Sequence, residues 1–325
     1  MDETNGHILR VRGLKTYFPI RRGVFSRIRG WVRAVDGVDL DIPRGRTVGL
    51  VGESGCGKTT LGRTILRLIP ATAGEAWFED ESIFEASRGR MRQMRRQMQI
   101  IFQDPIGSLN PRMTVETIVG EPLKVHGLGR GRALRKNVVN LLGRVGLSSR
   151  FLNRYPHEFS GGQRQRIGIA RALALEPKLI VCDEPVSALD VSIQSQILNL
   201  LADLQDQLHL SYLFIAHNLA VIEHFSDEVA VMYLGQIVER ADAEELYRNP
   251  KHPYTRTLLS AVPVPDPRAK KPREVLPGDV PEASSSPAGC PFEPRCPLAE
   301  EHCRQARAEL REISSSHFVA CWLAK

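Results

Sequence analysis

The sequence lacks a long hydrophobic run. No stretch approaches the ~18 apolar residues that indicate a membrane-spanning helix, although 42% of the 325 residues are hydrophobic. The first residues, 1–7, are polar and acidic, unlike a signal peptide, and no internal repeat is evident. With 25% charged residues, the composition is that of an ordinary globular protein. We therefore expect a soluble, cytosolic chain with one large domain and an appendage, whose role at a membrane would depend on partners.

Aromatic residues make up only 6% of the chain, and its net charge is +7. The two values together decide whether the basic residues indicate nucleic-acid binding. Basic residues concentrate in two clusters: Arg21, Arg22, Arg27, Arg29 and Arg33, and Arg88, Arg90, Arg92, Arg95 and Arg96. Such clusters can bind nucleic acid. Apart from Phe25 and Trp31, however, they lack the interleaved aromatic residues of a base-stacking platform. We favour a solvated face, or one near anionic lipid headgroups, and expect no nucleic-acid partner.

A glycine-rich segment follows a short apolar run, Thr47–Val51, that predicts a buried strand. Glycines let successive backbone N–H groups point at phosphate oxygens, and a helix that begins near Lys58 would add the partial positive charge of its N-terminus. Lys58 would reach the β- and γ-phosphates, and the Thr59 hydroxyl would bind Mg²⁺. The segment therefore predicts a phosphate loop with these contact residues: Gly52, Ser54, Gly55, Gly57, Lys58, Thr59 and Thr60.

A second apolar run, Leu179–Cys182, predicts another buried strand and ends at two adjacent carboxylates, Asp183 and Glu184. Burying two carboxylates at the end of a strand costs free energy unless a partner such as a cation compensates their charge. A magnesium ion explains Asp183. Glu184 then lies where a general base would polarise the attacking water. The alternative, a helix cap or a solvated acidic turn, explains the pair less well.

The tetrapeptide Ser160-Gly161-Gly162-Gln163, 23 residues before the paired carboxylates, indicates the class of nucleotide-binding protein. It resembles the signature of the ATP-binding cassette (ABC) family, in which ATP lies between two subunits. Phe159 stands where the family most often has leucine, a change that we expect to be neutral. The resemblance implies that Ser160 and the N–H groups of Gly161 and Gly162 cap a γ-phosphate bound on the opposite subunit. The helix from Gln163 would direct its N-terminus at that phosphate.

Further positions match the family in order and spacing. The resemblance assigns Gln103 to the loop that contacts Mg²⁺ and senses the membrane partner, and Asp190 to the loop that crosses the dimer interface. It assigns His217 to the switch that holds the γ-phosphate. Tyr17 resembles the aromatic residue that stacks on adenine, with Phe18 as the competing candidate.

The pattern along the chain predicts an α/β fold. Strand-like and helix-like segments alternate, which favours a mostly parallel core sheet with helices on both sides. Residues 8 to about 45 predict short strands with a basic insertion from Arg21 to Gly30. From about 105 to 175 no strand is evident, and this segment matches the helical subdomain inserted in ABC ATPases. Apolar residues recur there at helical spacing: Leu134, Val138, Leu141, Leu142 and Val145.

We expect an ABC ATP-binding domain over 1–250 and a C-terminal extension over 251–325. The extension opens with a proline-rich segment that has neither a helical nor a strand period.

Four of the six cysteines lie in the last 36 residues with the spacing C-x5-C-x6-C-x17-C: Cys290, Cys296, Cys303 and Cys321. In a cytosolic protein such clustering points to metal rather than to disulfides. Four thiolates suit tetrahedral zinc or an iron–sulfur cluster, and the lack of a C-x2-C pair favours iron–sulfur. The other two, Cys56 and Cys182, are predicted to be packing residues.

Other motifs resemble one subfamily, the ATP-binding subunits of oligopeptide and dipeptide permeases. These motifs are Phe102–Pro105, Ser108–Arg112, His252–Thr255, Leu258–Pro263 and the cysteine-bearing tail. The resemblance implies a [4Fe-4S] cluster on the four cysteines. The long N-terminal stretch and Gly55-Cys56-Gly57 resemble the second, F-type ATPase of the pair that such importers use.

The assembly implied by this resemblance has two transmembrane permease subunits, a sister ABC ATPase in a heterodimer and an extracytoplasmic peptide-binding protein. The chain would be the ATP-hydrolysing energy-coupling subunit, peripheral at the cytoplasmic face of the inner membrane. Nickel or another small solute is an alternative cargo, because nothing in such a subunit touches the cargo. A soluble ABC ATPase acting on nucleic acid or ribosomes is a further alternative, although such proteins commonly carry two cassettes or a zinc module within the core.

Overall fold

The structure, a computed structural model, describes residues 6–23, 26–261 and 288–324. The chain divides into two compact units. The first unit consists of residues 1–42, 47–85 and 214–325, and the second consists of residues 43–46 and 86–213. Among the described helices, none combines the length and the hydropathy that a bilayer crossing requires.

The strands, numbered along the chain, are β1 (His7–Arg22), β2 (Arg27–Pro43), β3 (Thr47–Val51), β4 (Ala73–Phe78), β5 (Glu81–Ser82), β6 (Met98–Ile101), β7 (Leu179–Asp183), β8 (Ser211–Ile215), β9 (Glu228–Tyr233), β10 (Gln236–Asp242), β11 (Arg311–Ser314) and β12 (His317–Val319). The α-helices are α1 (Lys58–Ile65), α2 (Arg88–Gln97), α3 (Val115–Val125), α4 (Gly131–Arg144), α5 (Gly161–Leu173), α6 (Val191–Leu208), α7 (Leu219–Phe225), α8 (Ala243–Arg248), α9 (Pro253–Ser260) and α10 (Glu301–Gln305).

The first unit contains a four-stranded sheet in the order β2-β1-β4-β5, in which β4 is antiparallel to both β1 and β5. Its first two strands are 16 and 17 residues long. The prediction of short strands with an insertion from Arg21 to Gly30 is therefore wrong, since β1 reaches Arg22 and β2 starts at Arg27. The first five residues of β2 are mostly exposed, and its apolar side chains Ile28 and Trp31 are 51% and 46% exposed, so no buried face marks this part of the strand.

A second sheet in the first unit has the order β11-β12-β10-β9-β3. Strand β3 runs parallel to β9, and all five of its residues are buried, which explains its unbroken apolar sequence. The pairs β9–β10, β10–β12 and β11–β12 are antiparallel. The two C-terminal strands thus extend the sheet that begins with the strand before the phosphate loop.

Helix α9 occupies part of the region where the sequence predicts no helical period. The side chain of His252 caps it, because His252 Nδ1 accepts a hydrogen bond from the N–H of Tyr254 at 3.1 Å. Pro253 fits the first helical position, where its missing N–H has no cost. The prediction is therefore wrong for Pro253–Ser260. The rest of the proline-rich segment, 262–287, lies outside the described residues.

In the second unit, β6 and β7 are parallel neighbours, and β8 follows β7 in the sheet order. Residues 105–175, all of them described, contain α3, α4 and α5 and no strand, as the sequence predicts. The buried face of α4 is the predicted one: Leu134, Val138, Leu141 and Leu142. These helices and mixed sheets confirm an α/β fold with a phosphate loop.

Candidate nucleotide-binding site

The predicted phosphate loop connects β3 to α1 in the first unit. Gly52 has φ 153° and Gly57 has φ 109°. A Cβ atom on Gly52 would lie 2.1 Å from the carbonyl oxygen of Met232, and one on Gly57 would lie 1.9 Å from that of Ala34. Both positions therefore require glycine for backbone angle and for space. Gly57 is the N-cap of α1, so the partial positive charge of the helix N-terminus lies at the end of the loop.

Lys58 is 4% exposed and holds the loop in shape. Its Nζ donates hydrogen bonds to the carbonyl oxygens of Gly52, at 2.8 Å, and Glu53, at 2.9 Å. The ammonium group is thus fixed at the mouth of the loop, where the sequence places the phosphates. Cys56 and Cys182 are both buried, which confirms them as packing residues, and burial raises the pKa of each thiol.

Glu53 has contacts that the sequence analysis missed. Its carboxylate accepts two hydrogen bonds from Arg295, at 2.8 and 3.1 Å, and its backbone N–H donates to the hydroxyl of Tyr254 at 2.9 Å. Arg295 and Tyr254 lie in the C-terminal part of the same unit. The segment around Tyr254 resembles a permease-ATPase motif, but nothing in the sequence connects either residue with the phosphate loop.

Tyr17, the predicted adenine contact, lies on β1 and donates a hydrogen bond from its hydroxyl to Asp36. Burial, then the Asp36 contact, raises the pKa of Tyr17 to about 12. The guanidinium of Arg33 lies 5.5 Å from the ring centroid. Arg307, from the C-terminal residues, donates to Asp36 at 3.0 Å. The competing candidate, Phe18, is 39% exposed.

The predicted catalytic carboxylates lie in the second unit, at the end of β7. Asp183 is 1% exposed. Glu184 follows with a left-handed backbone, φ 47°, a conformation that costs a non-glycine residue about 1–3 kcal/mol and is enriched at active sites. Gln103 Nε2 donates to Glu184 Oε2 at 2.9 Å. The structure thus joins the predicted loop glutamine to the predicted general base, although 81 positions separate them.

The signature segment forms the start of α5, also in the second unit. Ser160 is the N-cap, and a capping box links it to Gln163: Ser160 Oγ accepts from the Gln163 N–H at 3.4 Å, and Gln163 Oε1 accepts from the Ser160 N–H at 3.1 Å. Ser160 and Gly161 are exposed and Gly162 is buried. A Cβ on Gly162 would lie 2.5 Å from a methyl group of Ile193, so this close approach requires glycine. The result is an exposed helix N-terminus suited to an anion.

Asp190 and His217 occupy helix starts. Asp190 is the N-cap of α6 and accepts from the N–H of Ile193 at 3.0 Å; this bond lowers the pKa of the Asp190 carboxyl. His217 is exposed and lies between β8 and Asn218, the N-cap of α7, in the first unit. The first unit therefore contains the phosphate loop, Tyr17 and His217, and the second contains the other predicted site residues: Gln103, Ser160, Gly161, Gly162, Gln163, Asp183, Glu184 and Asp190.

The four clustered cysteines lie within electrostatic range of one another. Burial, and then the charges of Cys303, Cys321 and Cys296, raise the pKa of Cys290 to about 11. The N–H of Cys290 donates to the carbonyl oxygen of Cys303 at 2.7 Å. No group of three or more His, Cys, Asp and Glu side chains within the described ranges is arranged to hold a metal ion. The [4Fe-4S] cluster and its zinc alternative therefore stay predictions.

Two segments of the chain match known families: residues 35–187 match the ABC transporter family, and residues 238–303 match the oligopeptide/dipeptide transporter C-terminal region. The oligopeptide transport ATP-binding protein AppF of Bacillus subtilis (strain 168) is 52% identical over 319 residues, which cover 97% of each chain. The dipeptide transport ATP-binding protein DppF of Haemophilus influenzae is 45% identical over 318 residues, 98% of this chain and 97% of the relative.

Solved structures share the fold over about three quarters of the chain. The cbiO1 protein of Clostridium perfringens, part of the ABC transporter complex cbiONQ, has a TM-score of 0.64 at 26% identity and covers 75% of this chain and 92% of its own. The ATP-binding cassette MJ0796 was solved as a dimer in a post-hydrolysis state with bound ADP and Pi. It has a TM-score of 0.64 at 27% identity, and the match covers 72% of this chain and 98% of MJ0796.

Proposed function

The chain belongs to the ATP-binding subunits of oligopeptide and dipeptide ABC transporters, and we propose that it is one of two different ATPases that power a peptide importer. The observation that carries this proposal is the 52% identity to an oligopeptide transport ATP-binding protein along 97% of both chains. That similarity includes the C-terminal region as well as the cassette. ATP hydrolysis is the activity of the ABC ATPase family to which the chain belongs.

We propose a division of the ATPase chemistry among named side chains. Lys58 and the N–H groups of the loop would hold the β- and γ-phosphates. Three oxygen-bearing side chains, Thr59, Asp183 and Gln103, would hold Mg²⁺, and oxygen ligands are those that this ion prefers. When bound, Mg²⁺ neutralises charge on the phosphates. Glu184, which accepts a hydrogen bond from Gln103, would orient and deprotonate the attacking water, while His217 would contact the γ-phosphate.

The exposed start of α5 supports a dimeric mechanism. Its exposed N-terminal turn at Ser160 and Gly161 would bind the γ-phosphate held by a second cassette, as the resemblance implies. We propose a sister ATPase as that second cassette, two transmembrane permease subunits that the closing dimer moves, and an extracytoplasmic peptide-binding protein. The chain would then be peripheral at the cytoplasmic face of the inner membrane. We also propose the boundary between an ATP-binding domain, 1–250, and a C-terminal extension, 251–325.

We further propose that Cys290, Cys296, Cys303 and Cys321 hold a [4Fe-4S] cluster, with Zn²⁺ as the alternative. Their mutual electrostatic interactions support a common site. The spacing of these cysteines in the sequence, which lacks the C-x2-C pair common in zinc sites, favours the iron–sulfur cluster.

Replacing Cys296 with serine is expected to remove most of the bound metal and to loosen the C-terminal residues, because a metal site of this kind contributes directly to folding. The measurements are iron, acid-labile sulfide and zinc content of the purified protein, together with amide hydrogen exchange over residues 288–324. Cys56→Ala is the matched control and should retain the metal, since Cys56 is a buried packing residue. Unchanged iron, sulfide and zinc in Cys296→Ser would count against any metal on these cysteines.

The importer assignment is tested by isolating the protein gently from its native membranes and identifying what accompanies it. Two polytopic permease subunits and a sister ATPase would support the proposal, and the associated binding protein could then be screened against peptides, nickel and other small solutes. Recovery with ribosomes or nucleic-acid-binding proteins, and without membrane proteins, would overturn the importer assignment and leave only the ATPase activity.

A further inference from the structure

We propose that Arg295 is a positioning residue for the phosphate loop, through which the C-terminal module, defined as residues 288–324, sets the affinity for ATP. Arg295 and the loop residue Glu53 are 242 positions apart but belong to the same compact unit. The proposal needs only that the chain binds ATP. Its outcome is therefore independent of whether the ATPase serves a peptide importer.

The contact between the module and the loop is a two-point ion pair. Arg295 Nη1 donates to Glu53 Oε2 at 2.8 Å, and Nη2 donates to Oε1 at 3.1 Å. The side chain of Arg295 is 6% exposed and that of Glu53 is 25% exposed. A bidentate guanidinium–carboxylate pair fixes direction as well as distance, and its partial burial limits screening by salt. The pair therefore holds Glu53 in one orientation.

The arginine is itself held in place by an aromatic cluster. Tyr233 packs against both Tyr254 and Phe292, with ring centroids 4.7 and 5.3 Å apart, and all three rings are buried. The Arg295 guanidinium lies 6.0 Å from the centroid of the Tyr233 ring. Phe292 comes from the module itself, two residues after Cys290. A rotation of the module would therefore move both Phe292 and Arg295.

The Glu53 backbone transmits this contact to the phosphate site. Its N–H donates to the Tyr254 hydroxyl at 2.9 Å, and its carbonyl oxygen accepts from Lys58 Nζ at 2.9 Å. Glu53 thus has three partners: Arg295 binds its side chain, Tyr254 accepts from its N–H, and Lys58 donates to its carbonyl oxygen. If the side chain is released, the carbonyl that orients the Lys58 ammonium is held less firmly, and the phosphate contacts weaken.

A second arginine of the module reaches the predicted adenine contact. Arg307 Nη1 donates to Asp36 at 3.0 Å, and Asp36 also accepts a hydrogen bond from the hydroxyl of Tyr17. The module therefore contacts both the phosphate loop and the partner of Tyr17. This second contact makes nucleotide affinity, rather than the hydrolytic step, the property that the module controls.

A double-mutant cycle on the full-length protein tests the proposal. Arg295→Met and Glu53→Gln should each weaken the binding of a fluorescent ATP analogue by about tenfold, equivalent to about 1.4 kcal/mol, and raise the KM for ATP to a similar extent. The maximal rate at saturating ATP should stay within about twofold, because tight ground-state positioning acts on KM. The double variant should be no worse than either single variant, since both changes break the same pair.

Arg304→Met is the matched control, because it removes an exposed arginine of the same module that pairs with Glu293 and not with the loop. It should leave ATP affinity unchanged. Arg295→Lys keeps the charge but not the bidentate contact, and should lie between wild type and Arg295→Met. If Arg295→Met fails to fold, Arg295→Lys and Glu53→Gln complete the test. Unchanged KM in these variants, additive losses in the double variant, or a fall in maximal rate without a rise in KM would each overturn the proposal.

Discussion

Replacing Glu184 with glutamine is expected to lower the maximal rate of ATP hydrolysis by about 10²- to 10⁴-fold, the range typical of losing a general base, while ATP binding persists. The amide has the shape of the carboxylate and can still accept the hydrogen bond that Gln103 donates. It cannot take a proton from water. The phosphate contacts predicted for Lys58 and the loop do not involve this side chain. The measurements are phosphate release at saturating ATP and equilibrium binding of an ATP analogue.

Glu176→Gln is the matched control for this prediction. Glu176 is also a carboxylate with a left-handed backbone, φ 51°, but it is exposed and follows the C-terminal end of α5 rather than β7. Its substitution should leave hydrolysis within experimental error of wild type. Near-normal phosphate release by Glu184→Gln would eliminate Glu184 as the base, and a loss of ATP binding in that variant would show a structural role instead.

The elements that carry the chemistry could be predicted because their signals are local. Each residue of β3 and β7 is buried, so an unbroken apolar run marks both strands. The helical period of α4 is likewise complete within one segment. Glu184 and the glycines of the loop follow such strands directly. Short-range patterns therefore fixed both the type of element and the position of the chemical group at its end.

The contacts of the C-terminal module could not be predicted, because they depend on tertiary placement. Arg295 and Glu53 are 242 positions apart, and Tyr254 and Glu53 are 201 apart. Nothing in the surrounding residues distinguishes Arg295 from the exposed arginines near it. The sequence therefore indicates a proline-rich segment and a cysteine cluster after residue 250, whereas the described residues of this segment add two strands and two α-helices in the unit of the phosphate loop.

A continuous set of hydrogen bonds connects this part of the chain with the loop. The N–H of His252 donates to Glu239 at 2.9 Å, the N–H of Tyr254 donates to His252 Nδ1 at 3.1 Å, and the N–H of Glu53 donates to the Tyr254 hydroxyl at 2.9 Å. Burial lowers the pKa of His252 to about 3, so its ring stays neutral and Nδ1 remains an acceptor. The fixed end of this set is Glu239 on β10.

Replacing Glu239 with alanine is expected to destabilise the first unit by about 3–5 kcal/mol, the cost of removing one partner from a buried charged network. Glu239 is 0% exposed. Its carboxylate accepts from the N–H of Lys251 at 2.7 Å, from the N–H of His252 and from His317 Nε2 at 2.8 Å. Truncation leaves one buried backbone donor, one part-buried backbone donor and one ring donor without this acceptor. Amide hydrogen exchange over α9 and β12 measures the loss.

Glu244→Ala provides the control for this loss, because Glu244 is a nearby carboxylate whose ion pair with Arg248 is largely exposed, at 79% and 71% of the two side chains. Such pairs contribute little, so exchange should be unchanged. In Glu239→Ala, faster exchange should extend from α9 to the phosphate loop, because the hydroxyl of Tyr254 on α9 accepts the N–H of Glu53. Amide exchange at wild-type rates throughout Glu239→Ala would mean that Glu239 contributes nothing to holding the C-terminal strands. The contact between the module and the phosphate loop would then depend on the Arg295–Glu53 pair alone.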